Sequence, residues 1–314
     1  MAPQPHDHLT RREFLGKSAA AAGALGAATL SARGFAGGAD DATKATATDK
    51  VPLGKKGHKV TRLGIGTGSA GGQVQRDLGK EGFTKLIRHA YDRGVRFIDT
   101  ADMYQTHELV REAIRGIPRE DLWIQSKMMW DRPGPPEKPL EVLDRFRKEL
   151  GVEWIDSLLI HCATTGTWHD DLKRMMDAFA QAQEKKIIRL KGVSCHGLPA
   201  LTRALEVDWI DVHLARVNPQ GKHVDGTFGK WSEPGNVPEA TRILKAAHTK
   251  GRGVIGMKII GNGEFTDAAD REKSVQFAMT CGFVDAIIVG LKSASEVDEV
   301  IDRMNRALAT PAAK

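Results

Sequence analysis

The chain has 314 residues, 41% of them hydrophobic and 27% charged, which is the composition of a globular protein with a sizeable core in one large domain or two ordinary ones. A net charge of +6 is modest at this length, and no dense Lys/Arg run with interleaved aromatics occurs, so nucleic-acid binding has no support. Cys162, Cys195 and Cys281 are odd in number and spaced for neither a disulfide framework nor a zinc site.

The first element in chain order is Thr10-Arg-Arg-Glu-Phe-Leu15, followed by Lys17 and the small, weakly apolar run Ser18 to Leu30. That run is too short and too weakly hydrophobic to span a bilayer. Paired arginines ahead of it resemble the twin-arginine export signal, with Gly16 where the usual lysine stands. Small-residue cleavage sites follow Ala36 and Ala39. Residues 1–36 are therefore expected to be a signal peptide, 37–50 a flexible linker and 51–310 the folded part. The resemblance implies the twin-arginine export machinery as a partner and a periplasmic or extracellular location, with no transmembrane anchor after cleavage. That route carries folded proteins, commonly with a cofactor already in place.

Val51 to Leu63 reads as a β-hairpin turning between Gly54 and Gly57. Beyond it the chain alternates. Strands are expected at Leu63 to Gly66, Val95 to Ile98, Leu122 to Ser126, Ile155 to Ile160, Arg189 to Ser194, Trp209 to Leu214, Gly253 to Met257 and Ala286 to Val289. A helical pattern follows each one, the last from Ser295 to Leu308. Eight such units over about 260 residues predict an α/β fold, a (β/α)8 TIM barrel with an N-terminal β-hairpin. Gly64, Gly66 and Gly68 are a weak dinucleotide fingerprint and serve equally well as a tight turn. Two long connections, Met128 to Pro139 with Trp130 and Asn218 to Glu239 with Phe228 and Trp231, are of the length that covers a substrate.

Three consecutive strand ends carry Asp99, Lys127 and His161 after apolar runs, and Tyr104 lies in the loop beyond Asp99. On a barrel these ends are neighbours at the C-terminal rim, where active sites form. A charged Lys beside a phenol favours phenolate, and an adjacent Asp keeps that Lys charged. Such a tyrosine can exchange a proton with a substrate.

On these residues the chain resembles the aldo-keto reductase family. Asp99-Thr-Ala-Asp-Met-Tyr104 with Glu108, Gln125-Ser-Lys127, Leu158-Leu-Ile-His161 and Gly192-Val-Ser-Cys-His196 are similar to that family's signature segments. The resemblance implies that Tyr104 protonates a carbonyl oxygen while a nicotinamide cofactor reduces the carbon. Lys127 with Asp99 would tune Tyr104, and His161 would orient the carbonyl. It implies NADP(H), with Gly66 and Thr67 beside the nicotinamide ribose and Ser194 and Cys195 near the carboxamide. Because free NADPH is not expected outside the cytoplasm, export adds the expectation that the nucleotide is tightly held. Met257 would lie against the nicotinamide, Lys258 and Gly261 in the pyrophosphate loop, Lys292 and Ser293 at the 2′-phosphate, and Glu299 at the adenine. The substrate would be a small-molecule carbonyl or alcohol. Cys195, Leu214, Met257 and Val300 depart from the family's usual residues. They motivate the alternative of a non-catalytic exported barrel that binds a polar or sugar-like ligand. A metal-dependent barrel using His161, His169, His196 and His213 is a further alternative, but no paired-ligand motif supports it.

Overall fold

A computed structural model describes residues 44–130, 135–230 and 233–309. The twin-arginine-like segment, the expected cleavage sites, residues 37–43 of the expected linker and Trp231 lie outside these.

The hairpin pairs β1 (Lys50–Pro52) with β2 (Lys59–Thr61), Val51 opposite Val60. Gly54 and Gly57 sit at φ 64° and 81°, the left-handed region that a side chain would strain. Leu53 and Val60 pack against Phe97, Trp123 and Ile255 of the barrel interior. The hairpin thus closes the N-terminal end of the barrel and leaves the opposite mouth open.

Eight parallel strands form a closed barrel: β3 (Leu63–Gly66), β4 (Phe97–Asp99), β5 (Trp123–Met128), β6 (Ile155–Ala163), β7 (Ile188–Cys195), β8 (Val212–Arg216), β9 (Gly253–Met257) and β10 (Ala286–Gly290). β10 pairs with β3 to complete the circle, Gly290 beside Gly66. A helix follows each strand, from Gly79–Asp92 after β3 to Ala294–Ala309 after β10. Pro139–Leu150 is representative. Pro139 occupies its first turn, Leu143, Phe146 and Leu150 recur at helical spacing on the buried face, and Gly151 at φ 67° ends it. Each of those buried side chains contributes about 2 kcal/mol by removal from water. Among the described residues no helix is long and apolar enough to cross a membrane.

Strand parity places the functional groups. Phe97, Trp123, Leu159, Leu190, Val212, Leu214, Ile255 and Ile288 fill the interior, while their neighbours Ile98, Ile124, Leu158, Ile160, Val193 and Val254 pack outward against the helices. Side chains two apart share a face. Asp99, Lys127, His161, Ser194, Arg216 and Met257 therefore continue the inward rows to the C-terminal mouth.

Two expectations need correction. Residues 44–50 do not behave as linker: Ala47 is fully buried, its N–H donates to Asn305 Oδ1 at 2.8 Å and its carbonyl accepts from Leu63 N–H. β8 lies later than Trp209 to Leu214. Trp209 instead packs on Phe179 and donates to the Met176 carbonyl, so the hydrophobicity of Trp209-Ile210 belongs to the approach to the strand.

Candidate active site

At the mouth, Lys127 Nζ lies 2.8 Å from Asp99 Oδ2 and 2.8 Å from the Thr100 carbonyl, with the two side chains 1% and 2% exposed. A buttress fixes the carboxylate from behind. Trp123 Nε1 donates to Ser157 Oγ, Ser157 Oγ donates to Gln125 Oε1, and Gln125 Nε2 donates to Asp99 Oδ1 at 2.8 Å. These groups come from inward rows of β4, β5 and β6, so the same parity that fills the barrel also builds this chain. Burial lowers the Lys127 ammonium's pKa, but Asp99 and Tyr104 outweigh it and hold the group above its ordinary value.

Tyr104 sits on the single turn Asp102–Tyr104 after β4. Its ring lies directly over Gly68, where a Cβ would come within 2.4 Å of the ring. Gly68 is therefore a close-approach glycine, as is Gly64 beneath Phe97. Arg76 donates to the Tyr104 carbonyl, and the buried hydroxyls of Thr67, Thr100 and Thr106 bond one another beside the turn. Lys127 Nζ stands 4.8 Å from the Tyr104 ring centroid, and Tyr104 Oη lies 3.4 Å from His161 Nε2.

The electrostatics correct one expectation. Burial is the largest influence on the phenol and raises its pKa; Lys127 pulls it down by less, so the net shift is upward. Tyr104 is thus held as the neutral acid. His161 is pushed well below its ordinary value, first by burial and then by Lys127 and Lys258, which makes it a neutral imidazole. Trp130 Nε1 donates to the His161 carbonyl at 2.9 Å, so the first long connection does reach the site. Phe228 of the second is 75% exposed.

A cavity of ≈ 520 Å³ opens from Asp99 and Tyr104 along the ends of β9 and β10 to the last helix. Of the expected cofactor residues, Gly66, Met257, Lys258, Lys292 and Glu299 line it, as does Val300. Thr67, Ser194, Cys195, Gly261 and Ser293 do not. Thr67 bonds Thr106, and Ser293 Oγ accepts from the Glu296 N–H at the start of the last helix. Gly261 packs against the Phe265 ring, and Cys195 is packed in the outer layer between strands and helices. Ser194 is the informative exception. Its Oγ is buried on an inward row at the mouth with no hydrogen-bond partner among the described residues, which suits an amide-bearing ligand.

Lys258 is brought down to about 8, by burial first and then by Arg216 and Lys127, and its Nζ donates to Asn262 at 2.9 Å. An anion placed there would restore its charge. The orphaned Ser194 hydroxyl, the Gly66 floor and the Lys258 loop together fit a dinucleotide with an amide end and a phosphate middle. Among the described residues no group of His, Cys, Asp and Glu is placed to hold a metal ion.

Sequence reasoning did not single out Arg216, which ends β8 on the inward row 3.7 Å from Asp225 of the second long connection. Burial drives that carboxyl up to about 7. Extending β8 by two residues at the period of two would have found Arg216. Arg271 and Arg303, which grip Glu299 from the neighbouring helix and the same helix, carry no motif.

A closed parallel barrel with a buried Lys–Asp pair, a neutral phenol and an imidazole at its C-terminal mouth belongs to the class of barrels that place acid–base chemistry beside an elongated ligand groove. Residues 62–305 match the model of the aldo/keto reductase family, and the chain belongs to that family. It is 37% identical over 110 residues to the 9,11-endoperoxide prostaglandin H2 reductase of Trypanosoma cruzi, covering 34% of this chain and 37% of that protein. It is 23% identical over 189 residues to the NADH-specific methylglyoxal reductase of Escherichia coli, covering 53% and 58%. The chain thus spans less than two thirds of the length of these curated relatives. A solved holo structure of an aldo-keto reductase from Bacillus halodurans is 17% identical, with 85% of this chain and 93% of that chain covered and a TM-score of 0.65. That likeness bears on the fold alone.

Proposed function

We propose that this protein is an NADP(H)-dependent oxidoreductase that interconverts a small-molecule carbonyl compound and its alcohol, with Tyr104 as the general acid or base. The observation that carries the reading is the Tyr104 hydroxyl, held neutral by burial, 3.4 Å from a neutral His161 and beside the Lys127–Asp99 pair. When bound, the nicotinamide supplies the two-electron reduction of the carbonyl carbon. Tyr104 gives its proton to the oxygen, and His161 aligns that oxygen as a neutral hydrogen-bond donor. Lys127 stabilises the phenolate left behind, and Asp99 keeps Lys127 charged. In the alcohol-oxidising direction the same groups work in reverse. The departures at Cys195, Leu214, Met257 and Val300 concern the nicotinamide and adenine contacts and leave the Lys127–Asp99 pair beside the phenol in place, so the reading as a barrel that only binds a polar ligand is not favoured.

For NADP(H) over NAD(H), the support is the far end of the groove, where the three cations Lys292, Arg271 and Arg303 outnumber the two carboxylates Glu296 and Glu299 that line it with them. Lys292→Met is expected to weaken NADPH binding by about tenfold or more and leave NADH binding within about twofold, read as Kd by tryptophan-fluorescence titration. Equal losses for both nucleotides would contradict the assignment.

The arginine pair Arg11-Arg12 supports export, and with it a nucleotide held tightly enough to be recycled between two substrates rather than exchanged. In cell fractionation, Arg11→Lys/Arg12→Lys is expected to retain the protein in the cytoplasm. Unchanged export would show that the pair is not the signal.

A further inference from the structure

We propose that Arg145 is a positioning residue for Tyr104, acting through Asp102. The proposal rests on the reading of Tyr104 as the proton-exchanging group. Tyr104 is carried by a turn of three residues on a loop, and a loop alone holds a catalytic side chain less well than a strand or helix does. The turn is tied down at its first residue. Arg145 Nη2 reaches both carboxylate oxygens of Asp102, at 2.9 and 3.0 Å. Arg145 Nη1 donates to Glu149 Oε1 at 2.7 Å, and Glu149 Oε2 lies 2.7 Å from His107 Nδ1. His107 Nε2 is 2.9 Å from Ser126 Oγ, and Ser126 is the residue before Lys127 on β5.

The connected groups therefore run from the turn that carries the phenol, through the helix Pro139–Leu150, to the strand that carries the ammonium. The two partners whose spacing sets the acid–base chemistry are held by one network. Its inner end is rigid: His107 is buried, with its ring edge-on to Phe146 at 4.9 Å. Some exposed ion pairs of the described chain are different. Lys85–Glu81 and Lys173–Asp177 lie within one helix and join nothing. Arg145 is itself half-exposed, and a half-exposed ion pair adds little to global stability. What its geometry does provide is the placement of a loop residue on a rigid frame.

The chain contains two tyrosines, Tyr91 and Tyr104, so tyrosine labelled at the ring carbon bearing oxygen gives two NMR signals, assigned with Tyr104→Phe. Tyr91 is held separately by its bond to Asp121 and reports on the fold. In Arg145→Met the Tyr104 signal is expected to shift or broaden and to titrate at lower pH, because a loosened turn lets water reach the phenol. The Tyr91 signal is expected to stay fixed, and Lys173→Met is expected to leave both signals unchanged. Asp102→Asn added to Arg145→Met should produce no further change, since both act on one contact. In carbonyl reduction, Arg145→Met should lower kcat about tenfold with KM within about twofold. A Tyr104 signal that stays unchanged, or a change shared equally by Tyr91, would overturn the proposal. The labelled-tyrosine readout needs no turnover, so it decides this point even for a protein that reduces no carbonyl compound, an outcome that would instead count against the proposed function.

Discussion

Tyr104→Phe is expected to lower kcat for carbonyl reduction by roughly a thousandfold, within the range that a positioned general acid supplies. The substitution removes one oxygen and keeps the ring that packs over Gly68, so the fold and the groove should persist. Nucleotide Kd should stay within about twofold and Tm within about 2 °C, because the oxygen's contacts are a long one to His161 at 3.4 Å and one to Lys127, which keeps its bonds to Asp99 and the Thr100 carbonyl. The pH dependence has a definite sign. Burial raises the phenol above its ordinary value, so the proton-bearing form persists through neutrality and the phenol's own titration lowers the reduction rate on the alkaline side. His161 is depressed well below its ordinary value and stays neutral across the working range, so it adds no limb between about pH 6 and 8. Steady-state kinetics over pH, with thermal melts and nucleotide titration of both proteins, check all of this. Activity within tenfold of the parent would mean that His161 or water donates the proton.

Lys127→Met should be the most destabilising single change at the site. It leaves the Asp99 carboxylate 2% exposed without its cation, with Gln125 Nε2 at 2.8 Å as its remaining side-chain donor among the described residues. Breaking a buried pair from one side costs about 3–5 kcal/mol, chiefly the uncompensated charge, and in a domain of this size that lowers Tm on the order of 10 °C. Adding Asp99→Leu removes the stranded charge and should recover a substantial part of that loss while restoring no activity. Stability and catalysis then separate: the first follows charge balance, the second follows Lys127. Calorimetry and kinetics on the single and double variants measure both. A double variant no more stable than Lys127→Met would show that the cost lies in lost packing rather than in the stranded carboxylate.

The barrel was legible in the sequence because most strands are short apolar runs and most of the helices after them are amphipathic, Ala268–Thr280 being an exception, so the alternation of periods counts the units. The strand ends that carry the candidate site were legible for a related reason. At Asp99 and His161 a titratable residue interrupts an inward row two positions above Phe97 and Leu159, which fill the barrel, and Lys127 ends a row that runs up from Trp123 through the polar Gln125. Arg216 obeys the same rule and was missed because the apolar Trp209-Ile210 drew the strand too early. The glycines left open between turn and ligand contact are resolved in part by Gly64 and Gly68, which make room for Phe97 and Tyr104. What stayed illegible depends on three-dimensional packing. The buttress Trp123–Ser157–Gln125 and the tie Asp102–Arg145–Glu149 join separate segments of the chain, so although Asp102 and Gln125 lie in signature segments, no local pattern shows what they pair with. The direction of the Tyr104 shift was illegible too, since a sequence shows the neighbouring lysine but not how deeply the hydroxyl is buried. Cys195 reads as a carboxamide contact by position, yet it turns into the outer layer, leaving Ser194 as the orphaned polar group at the mouth.

The most direct test of the account is isotope transfer. NADPH deuterated on the transferring face of its nicotinamide ring is incubated with the protein and an aromatic aldehyde, and the alcohol product is analysed by mass spectrometry and NMR. The account predicts one deuterium on the carbinol carbon, formed by the parent protein and lost in Tyr104→Phe. No alcohol, or alcohol without the label, would contradict it.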